Sequence, residues 1–281
     1  MKITGRNSSD KLLAIASFCM LLVGCRTIQV SESDLMQPDI RPDAHIKSDQ
    51  RIERSTVQTS VGEIAVTRIF RPGNKIAVLY CGGNQFRTSV SGGSVSAAFP
   101  ESVDLILFDY PGYGLSSGSP TVDSLMQAAT AVYDQFLSES SAGYDRKGVY
   151  GSSMGGFIAS HVAAERSPDF LMLEGTAANT TQLMRSLVPW FAKPFIDIKV
   201  DPKLADFDNV EKLKGFEGRA LLMVGSADTQ TKPIVMREFA AALATENVDV
   251  RYTVIAGRGH GNVLSHSEAR REVSEFLGDR E

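Results

Sequence analysis

From residue 57 onward, short apolar runs alternate with stretches whose apolar residues have helical spacing. The runs are typical of strands buried in a parallel sheet, and they cover Ile76 to Tyr80, Val103 to Phe108, Gly148 to Tyr150, Phe170 to Leu173, Ala220 to Val224 and Val248 to Ile255. Helical spacing occurs near 92–99, 121–139, 154–165, 232–246 and 263–278. Two β-rich segments, Val57 to Thr59 and Glu63 to Phe70, flank Gly62 and predict a hairpin ahead of the main sheet. The alternation predicts an α/β fold with a mostly parallel, doubly wound sheet.

One pentapeptide in this pattern contains a candidate catalytic residue. Residues 151–155 read G-S-S-M-G, which fits the frame G-x-S-x-G with Ser153 at its centre. A serine hydroxyl is a weak nucleophile at neutral pH, so hydrolytic enzymes expose it on a sharp turn from strand to helix. Gly151 and Gly155 remove side chains that would collide across such a turn. The same pentapeptide also occurs by chance in other proteins. A catalytic interpretation therefore depends on whether the sequence supplies partner residues for Ser153.

Partners for Ser153 are expected beyond the carboxyl ends of other strands, which meet at one edge of a parallel sheet. Asp228 follows one predicted strand in the run G-S-A-D, and His260 follows the last one in A-G-R-G-H-G-N. Together they predict a catalytic triad, in which the histidine is the base and Asp228 orients it. The alternative for Asp228 is an ordinary turn residue, with Glu174 as the substitute acid.

The other histidines are interpreted differently. His161 falls in the helix after the pentapeptide and His266 lies near the start of the last helix, so packing or surface positions are the expectation for both. His45 lies in a polar stretch ahead of the domain.

The order Ser153, Asp228, His260 on such a scaffold resembles the α/β-hydrolase superfamily over about residues 57–278. The segment from Asp109 to Gly118 reads D-Y-P-G-Y-G-L-S-S-G and is similar to a D-x-P-G-x-G-x-S-x-G loop of esterase and lipase-like members. The resemblance implies a serine hydrolase that acts without a cofactor, through an acyl-enzyme intermediate, on an ester, thioester or amide. Carboxylester hydrolysis is the default expectation. The alternative is a non-catalytic envelope lipoprotein that uses the scaffold to bind a ligand or partner.

An oxyanion hole needs two backbone amides. Met154, next to the nucleophile, is expected to supply one of them. The other is expected from the loop Y-C-G-G-N at residues 80–84, with Gly83 as first choice and Asn84 as second. This loop stands where the superfamily has H-G-G or H-G-N. Cys81 replaces the histidine there and is interpreted as a buried thiol rather than a nucleophile.

Residues 177–217, called the insertion below, separate two predicted strands and are expected to form a small cap over the pocket. Their apolar side chains suit either an acyl or aromatic group of a small-molecule substrate or docking of the cap on the domain.

The N-terminal residues are typical of a bacterial lipoprotein signal. Basic residues precede the apolar run Leu12 to Val23, and Leu22 to Cys25 reads L-V-G-C, which resembles a lipobox. We therefore predict a signal peptide over 1–24, lipidation of Cys25 as a membrane anchor, a polar tether over 25–56 and the hydrolase domain over 57–281. A plain secretory signal is the alternative. Arg26 in the second position favours the outer membrane of the cell envelope, facing the periplasm.

Charge and motifs argue against several other classes of protein. The formal net charge is -4 with a pI near 5.7 and no basic run, so nucleic-acid binding is not expected. The sequence has no H-E-x-x-H, no paired C-x-x-C and no dinucleotide fingerprint in its first βα unit, so neither a metal nor a nucleotide cofactor is predicted.

Overall fold

The computed structural model describes residues 26–38, 46, 49–138 and 143–278. The predicted signal peptide, Cys25 and His45 lie outside the described residues.

Strands and helices alternate through the described chain. The strands are β1 (Arg26–Val30), β2 (Arg51–Thr59), β3 (Gly62–Phe70), β4 (Ile76–Cys81), β5 (Val103–Phe108), β6 (Arg146–Ser152), β7 (Phe170–Glu174), β8 (Ile196–Val200), β9 (Arg219–Gly225) and β10 (Asp249–Ile255). The α-helices are α1 (Glu32–Leu35), α2 (Thr88–Ser96), α3 (Val122–Leu137), α4 (Gly155–Arg166), α5 (Thr180–Leu187), α6 (Asn209–Lys212), α7 (Pro233–Thr245) and α8 (Ser267–Gly278). Two 3₁₀ turns, Lys193–Phe195 and Pro202–Asp206, flank β8.

Eight strands form the main sheet, in the order β10-β9-β7-β6-β4-β5-β3-β2. The hairpin strands β2 and β3 are antiparallel to each other, and β3 is antiparallel to β5, whereas all pairs from β5 to β10 are parallel. Apolar side chains pack on both faces. Residues of α3, α4 and α7 belong to the core on one face, and residues of α2 and α8 to the core on the other. The predicted α/β fold with a mostly parallel, doubly wound sheet is confirmed.

The helix boundaries differ from the sequence pattern at two places. The early helix spans Thr88–Ser96 rather than 92–99, and the amide of Thr88 at its start donates to Asp109 Oδ1 at 2.7 Å. The last helix begins at Ser267 rather than near 263. The residues before it stay in a loop, which carries His260.

The segment from Arg26 to Pro38 is not the polar tether that we expected. Strand β1 pairs in parallel with β8 of the insertion, and Val30 and Met36 are buried in the main core. Downstream, the carboxylate of Glu32 accepts the amide of Val122 at 2.8 Å. The first hairpin strand, β2, also begins at Arg51, ahead of the predicted boundary at 57. Val30 is the one buried residue of β1, and the strand forms by pairing with a strand far along the chain.

The insertion contains α5, β8 and α6. Its C-terminal part is anchored on the domain, because Phe207 is buried and its ring stacks on Phe157 of α4 with centroids 4.8 Å apart. Whether the insertion closes over a substrate stays a prediction. In the described part of the chain, we find no helix with the length and apolar character needed to cross a membrane.

Candidate active site

Ser153 lies on a sharp turn between β6 and α4. Its φ of 53° is in the left-handed region, which non-glycine residues rarely adopt. The turn is held by two hydrogen bonds, from the Ser153 amide to Glu174 O at 2.8 Å and from the Gly156 amide to Ser153 O at 3.0 Å. A Cβ on Gly155 would overlap the carbonyl oxygen of Cys81, and one on Gly151 would lie 2.5 Å from Gly155 O. The glycines of the pentapeptide are therefore required by close backbone packing.

The structure brings the three predicted triad side chains into one hydrogen-bonded chain. His260 Nε2 is 2.8 Å from Ser153 Oγ, and His260 Nδ1 is 2.9 Å from Asp228 Oδ2. The residues come from three loops, which follow β6, β9 and β10 at one edge of the sheet. In this arrangement Nδ1–H donates to the carboxylate while Nε2 can accept the serine proton.

Asp228 is held by more than the histidine. Its side chain is 1% exposed, and its other oxygen, Oδ1, accepts the amides of Gln230 at 2.9 Å and Thr231 at 2.8 Å. A buried carboxylate requires partners of this kind. The two amides fix the carboxyl plane, so Oδ2 is presented to the imidazole in one orientation.

Glu174, the alternative acid, has different partners. The Tyr150 hydroxyl donates to its Oε2, and the Val263 amide donates to its Oε1 at 3.1 Å. Complete burial raises the pKa of this carboxyl above its ordinary value of 4.5, because desolvation disfavours the charged form. Val263 follows His260 by three residues, so Glu174 supports the histidine loop while Asp228 binds the imidazole itself.

The predicted oxyanion amides lie beside the nucleophile. Met154 precedes the first residue of α4, where the positive end of the helix dipole favours negative charge. A Cβ on Gly83 would lie 3.4 Å from Ser153 Cβ and 3.2 Å from Ser152 O, so this residue packs against the turn. Asn84, the second choice, accepts the Gln37 amide at 2.8 Å with its side-chain oxygen, and the role of its backbone amide stays a prediction.

The loop from Asp109 to Gly118 supports residues 80–84, called the oxyanion loop below because one predicted oxyanion amide lies in it. The Tyr110 hydroxyl donates to Gly82 O at 2.9 Å, and the Tyr113 hydroxyl is 3.2 Å from Asn84 Oδ1. A Cβ on Gly114, whose φ is 51°, would overlap the Asp109 carboxylate, which accepts the Leu115 amide. The motif therefore builds a tight turn that positions two tyrosines.

Sequence reasoning missed these tyrosines and Tyr150. The available signal was a tyrosine within a buried strand or an apolar loop, since a buried hydroxyl needs a partner. The Tyr150 ring stacks on Tyr80, with centroids 5.1 Å apart. Cys81 is buried as expected, and burial raises the pKa of its thiol. Within the described residues, no group of three or more His, Cys, Asp or Glu side chains could hold a metal ion.

The sheet order and the serine elbow define the class of protein. The chain has the α/β-hydrolase fold. More specifically, it belongs to the prolyl oligopeptidase family, whose sequence profile matches residues 118–278, more than half of the chain.

Two Mycobacterium tuberculosis proteins are similar to this chain at low sequence identity. An uncharacterized protein of Mycobacterium tuberculosis strain H37Rv is 27% identical over 190 residues, which is 68% of this chain. The matched region spans 64% of the length of that relative, and the same figures hold for a protein of strain CDC 1551.

Solved structures share the fold. The esterase Pf2001 of Pyrococcus furiosus superposes with a TM-score of 0.66 at 17% identity, over 87% of this chain and 96% of that one. The acylaminoacyl peptidase of Pyrococcus horikoshii has a TM-score of 0.59 at 12% identity, over 82% of this chain and 41% of that one. A putative hydrolase of Agrobacterium vitis has a TM-score of 0.57 at 19% identity, over 82% and 98% of the two chains.

Proposed function

We propose that this protein is a serine hydrolase that cleaves ester bonds through Ser153, His260 and Asp228. The observation that carries the proposal is the unbroken chain of hydrogen bonds, 2.8 Å from Ser153 Oγ to His260 Nε2 and 2.9 Å from His260 Nδ1 to Asp228 Oδ2. Nucleophile, base and orienting acid in this order can perform acyl transfer without a metal or cofactor.

Acylation begins when Ser153 Oγ attacks the carbonyl carbon of the substrate. His260 Nε2 takes the hydroxyl proton as the new carbon–oxygen bond forms, and Asp228 stabilises the resulting imidazolium. The carbonyl oxygen becomes negatively charged and binds the amides of Met154 and Gly83. As the tetrahedral intermediate collapses, the bond to the leaving group breaks and His260 gives its proton to the departing oxygen.

Deacylation repeats these steps with water as the nucleophile. His260 takes a proton from the water as it attacks the acyl-enzyme carbonyl, and the same two amides stabilise the second oxyanion. Collapse breaks the bond to Ser153 Oγ, which recovers its proton from the imidazolium. The products are one carboxylic acid and one alcohol, and the enzyme is regenerated.

Labelling with a fluorophosphonate probe tests the nucleophile. We expect the folded wild type to be labelled and Ser153→Ala to be unlabelled. Ser152→Ala is the matched control, because Ser152 is the neighbouring hydroxyl, at the end of β6, and its loss should leave labelling intact. A folded wild type that is not labelled would instead support the non-catalytic binding function.

The substrate class is tested separately. An ester is our first choice, in agreement with the name of the Pyrococcus furiosus esterase, whereas the family name and the acylaminoacyl peptidase favour an amide. p-Nitrophenyl esters of increasing acyl length should be compared with aminoacyl p-nitroanilides under the same conditions. Higher kcat/KM on the anilides would reject the ester proposal and leave the triad proposal intact.

We also propose that the protein is anchored to a membrane of the bacterial cell envelope by a lipid on Cys25, with the domain in the periplasm. The support is the apolar run Leu12 to Val23 followed by L-V-G-C. Metabolic labelling with a lipid precursor should be lost in Cys25→Ser. Cys81→Ser is the matched control and should retain the label. Persistent label in Cys25→Ser would reject the lipobox interpretation.

A further inference from the structure

The insertion exposes a group of large apolar side chains. Leu187, Trp190, Phe191 and Phe195 are 47%, 82%, 56% and 40% exposed, and the Trp190 and Phe191 rings contact each other with centroids 5.9 Å apart. We call these four residues the insertion patch. Single exposed apolar residues are common on proteins, but several in one segment, two of them aromatic rings in contact, favour a contact surface.

The residues around the insertion patch are basic. Arg185, Lys193 and Lys199 lie between residues 180 and 200, where Asp197 is the one acidic residue. This segment therefore carries a net charge of +2 in a chain whose formal net charge is -4. Lys232 joins the group from the start of α7, where its Nζ donates to Ser186 O at 2.8 Å.

A cavity of about 530 Å³ lies beside the insertion patch. Arg185, Lys193 and Lys232 contribute to its lining, together with one carboxylate, that of Glu238. Glu238 Oε2 accepts the Gln182 side-chain amide at 3.1 Å. Three cations around one opening next to exposed aromatic rings suit an anionic headgroup with acyl chains beside it.

Strand β1 meets the insertion at the same place. Arg26, the first residue of β1, pairs with Ile196, which directly follows Phe195 of the insertion patch. The apolar run Leu12 to Val23 and Cys25 precede Arg26 in the sequence. If the lipid anchor proposed above is correct, the lipid is attached one residue before the strand that pairs with the insertion.

We propose that the insertion patch docks on the surface of an anionic phospholipid membrane, with its aromatic rings among the lipid headgroups and its basic residues on the lipid phosphates. Tryptophan and phenylalanine beside lysine and arginine are favoured at the boundary between headgroups and acyl chains. A second copy of the chain fits less well, because a symmetric contact would bring the same basic residues of two protomers together.

In the docked orientation, the edge of the sheet that carries Ser153, Asp228 and His260 would face the lipid. The insertion leaves the sheet at the carboxyl end of β7, next to the loop that holds Asp228. Lys232, which binds the carbonyl of Ser186, directly follows Thr231, whose amide donates to Asp228 Oδ1. Substrates that partition into membranes would then reach the site without crossing bulk water.

The chain offers a direct reporter, because Trp190 is its single tryptophan. The full chain carrying Ser153→Ala, so that no turnover occurs, is reconstituted with vesicles of anionic or zwitterionic phospholipid. With anionic vesicles we expect a blue shift of the emission, quenching by brominated acyl chains and protection from aqueous iodide. With zwitterionic vesicles the shift should be smaller, since their surface has no net negative charge to attract the basic residues.

The matched variants are Phe191→Ser with Phe195→Ser in the insertion patch, and Leu115→Ser outside it. The double variant should lose the blue shift and the quenching by brominated lipid, whereas the Leu115 variant, which alters a side chain 70% exposed, should retain both. An indole that stays accessible to iodide on anionic vesicles would overturn the proposal. A blue shift without lipid that grows with protein concentration would also overturn it, in favour of a second copy, and equal shifts on both vesicles would reject the role of the cations.

Discussion

The substitution Asp228→Asn tests whether Asp228, rather than Glu174, is the acid that orients the imidazole of His260. Asparagine has the same shape as aspartate, and its side-chain oxygen can still accept the amides of Gln230 and Thr231, which lie 2.9 and 2.8 Å from Oδ1 in the wild type. Its amide nitrogen then faces His260 Nδ1 in place of the oxygen at 2.9 Å. Two donors cannot face each other, so Nδ1 must give up its hydrogen.

The expected loss of activity follows from the changed tautomer of His260. With the hydrogen on Nε2, His260 donates toward Ser153 Oγ instead of accepting its proton, so general-base catalysis is lost while the fold is kept. A change of this kind lowers kcat by roughly 10⁴-fold, or about 5 kcal/mol in the activation free energy. Since Asp228 does not contact the substrate in the proposed mechanism, KM should change little.

The assay is hydrolysis of a p-nitrophenyl ester, with thermal unfolding as the check on folding. Glu174→Gln is the matched control, because its oxygen can still accept the Val263 amide. Exchange of one hydrogen-bonding side chain for another in this way costs on the order of 1 kcal/mol, so kcat should fall by less than about tenfold. Comparable losses in the two variants, or an Asp228→Asn enzyme close to wild type, would refute the assignment.

Three further predictions concern the surrounding structure. Gly155→Ala should abolish activity by displacing the backbone at Cys81, which its Cβ would overlap, whereas Gly143→Ala, with no atom within 4 Å of its Cβ, should be active in the same ester assay. Phe207→Ala, at a buried stacked ring, should lower the free energy of unfolding by about 3–5 kcal/mol in urea titration. The pKa of Glu174 is raised in the folded state, so wild-type stability falls as pH increases from 4.5 toward that raised pKa. Glu174→Gln lacks this ionisable group, so its free energy of unfolding relative to wild type should rise over the same pH window, by about 1.4 kcal/mol for each unit of pKa shift. A difference between the two proteins that does not depend on pH would contradict this prediction.

Much of the site could be predicted because each part obeys a local rule. Alternating strands and helices imply a parallel sheet, and its carboxyl edge collects the residues that follow each strand. Ser153, Asp228 and His260 could therefore be placed together although they are far apart in the sequence. The glycine pattern after β5 could be recognised for the same reason, since its turn needs positive φ at fixed positions.

Other parts depend on distant partners and could not be predicted. Strand β1 has five residues, of which Val30 alone is buried, and it forms by pairing with β8, so its own sequence resembles a polar linker. The roles of Tyr110 and Tyr113 likewise depend on where the oxyanion loop lies. A buried tyrosine indicates that its hydroxyl has a partner, but the partner is fixed by tertiary packing.

The two buried acids beside His260 show why packing decides their roles. Glu174 ends β7 and Asp228 follows β9 at the same edge of the sheet, so the sequence allows either to be the orienting acid. Three N–H donors surround Asp228, from the imidazole and two backbone amides, as a buried carboxylate requires. Glu174 receives one amide and the Tyr150 hydroxyl, and burial raises its pKa. Burial disfavours a second negative charge at Glu174, whose carboxyl supports the histidine loop through the Val263 amide while Asp228 accepts the imidazole N–H.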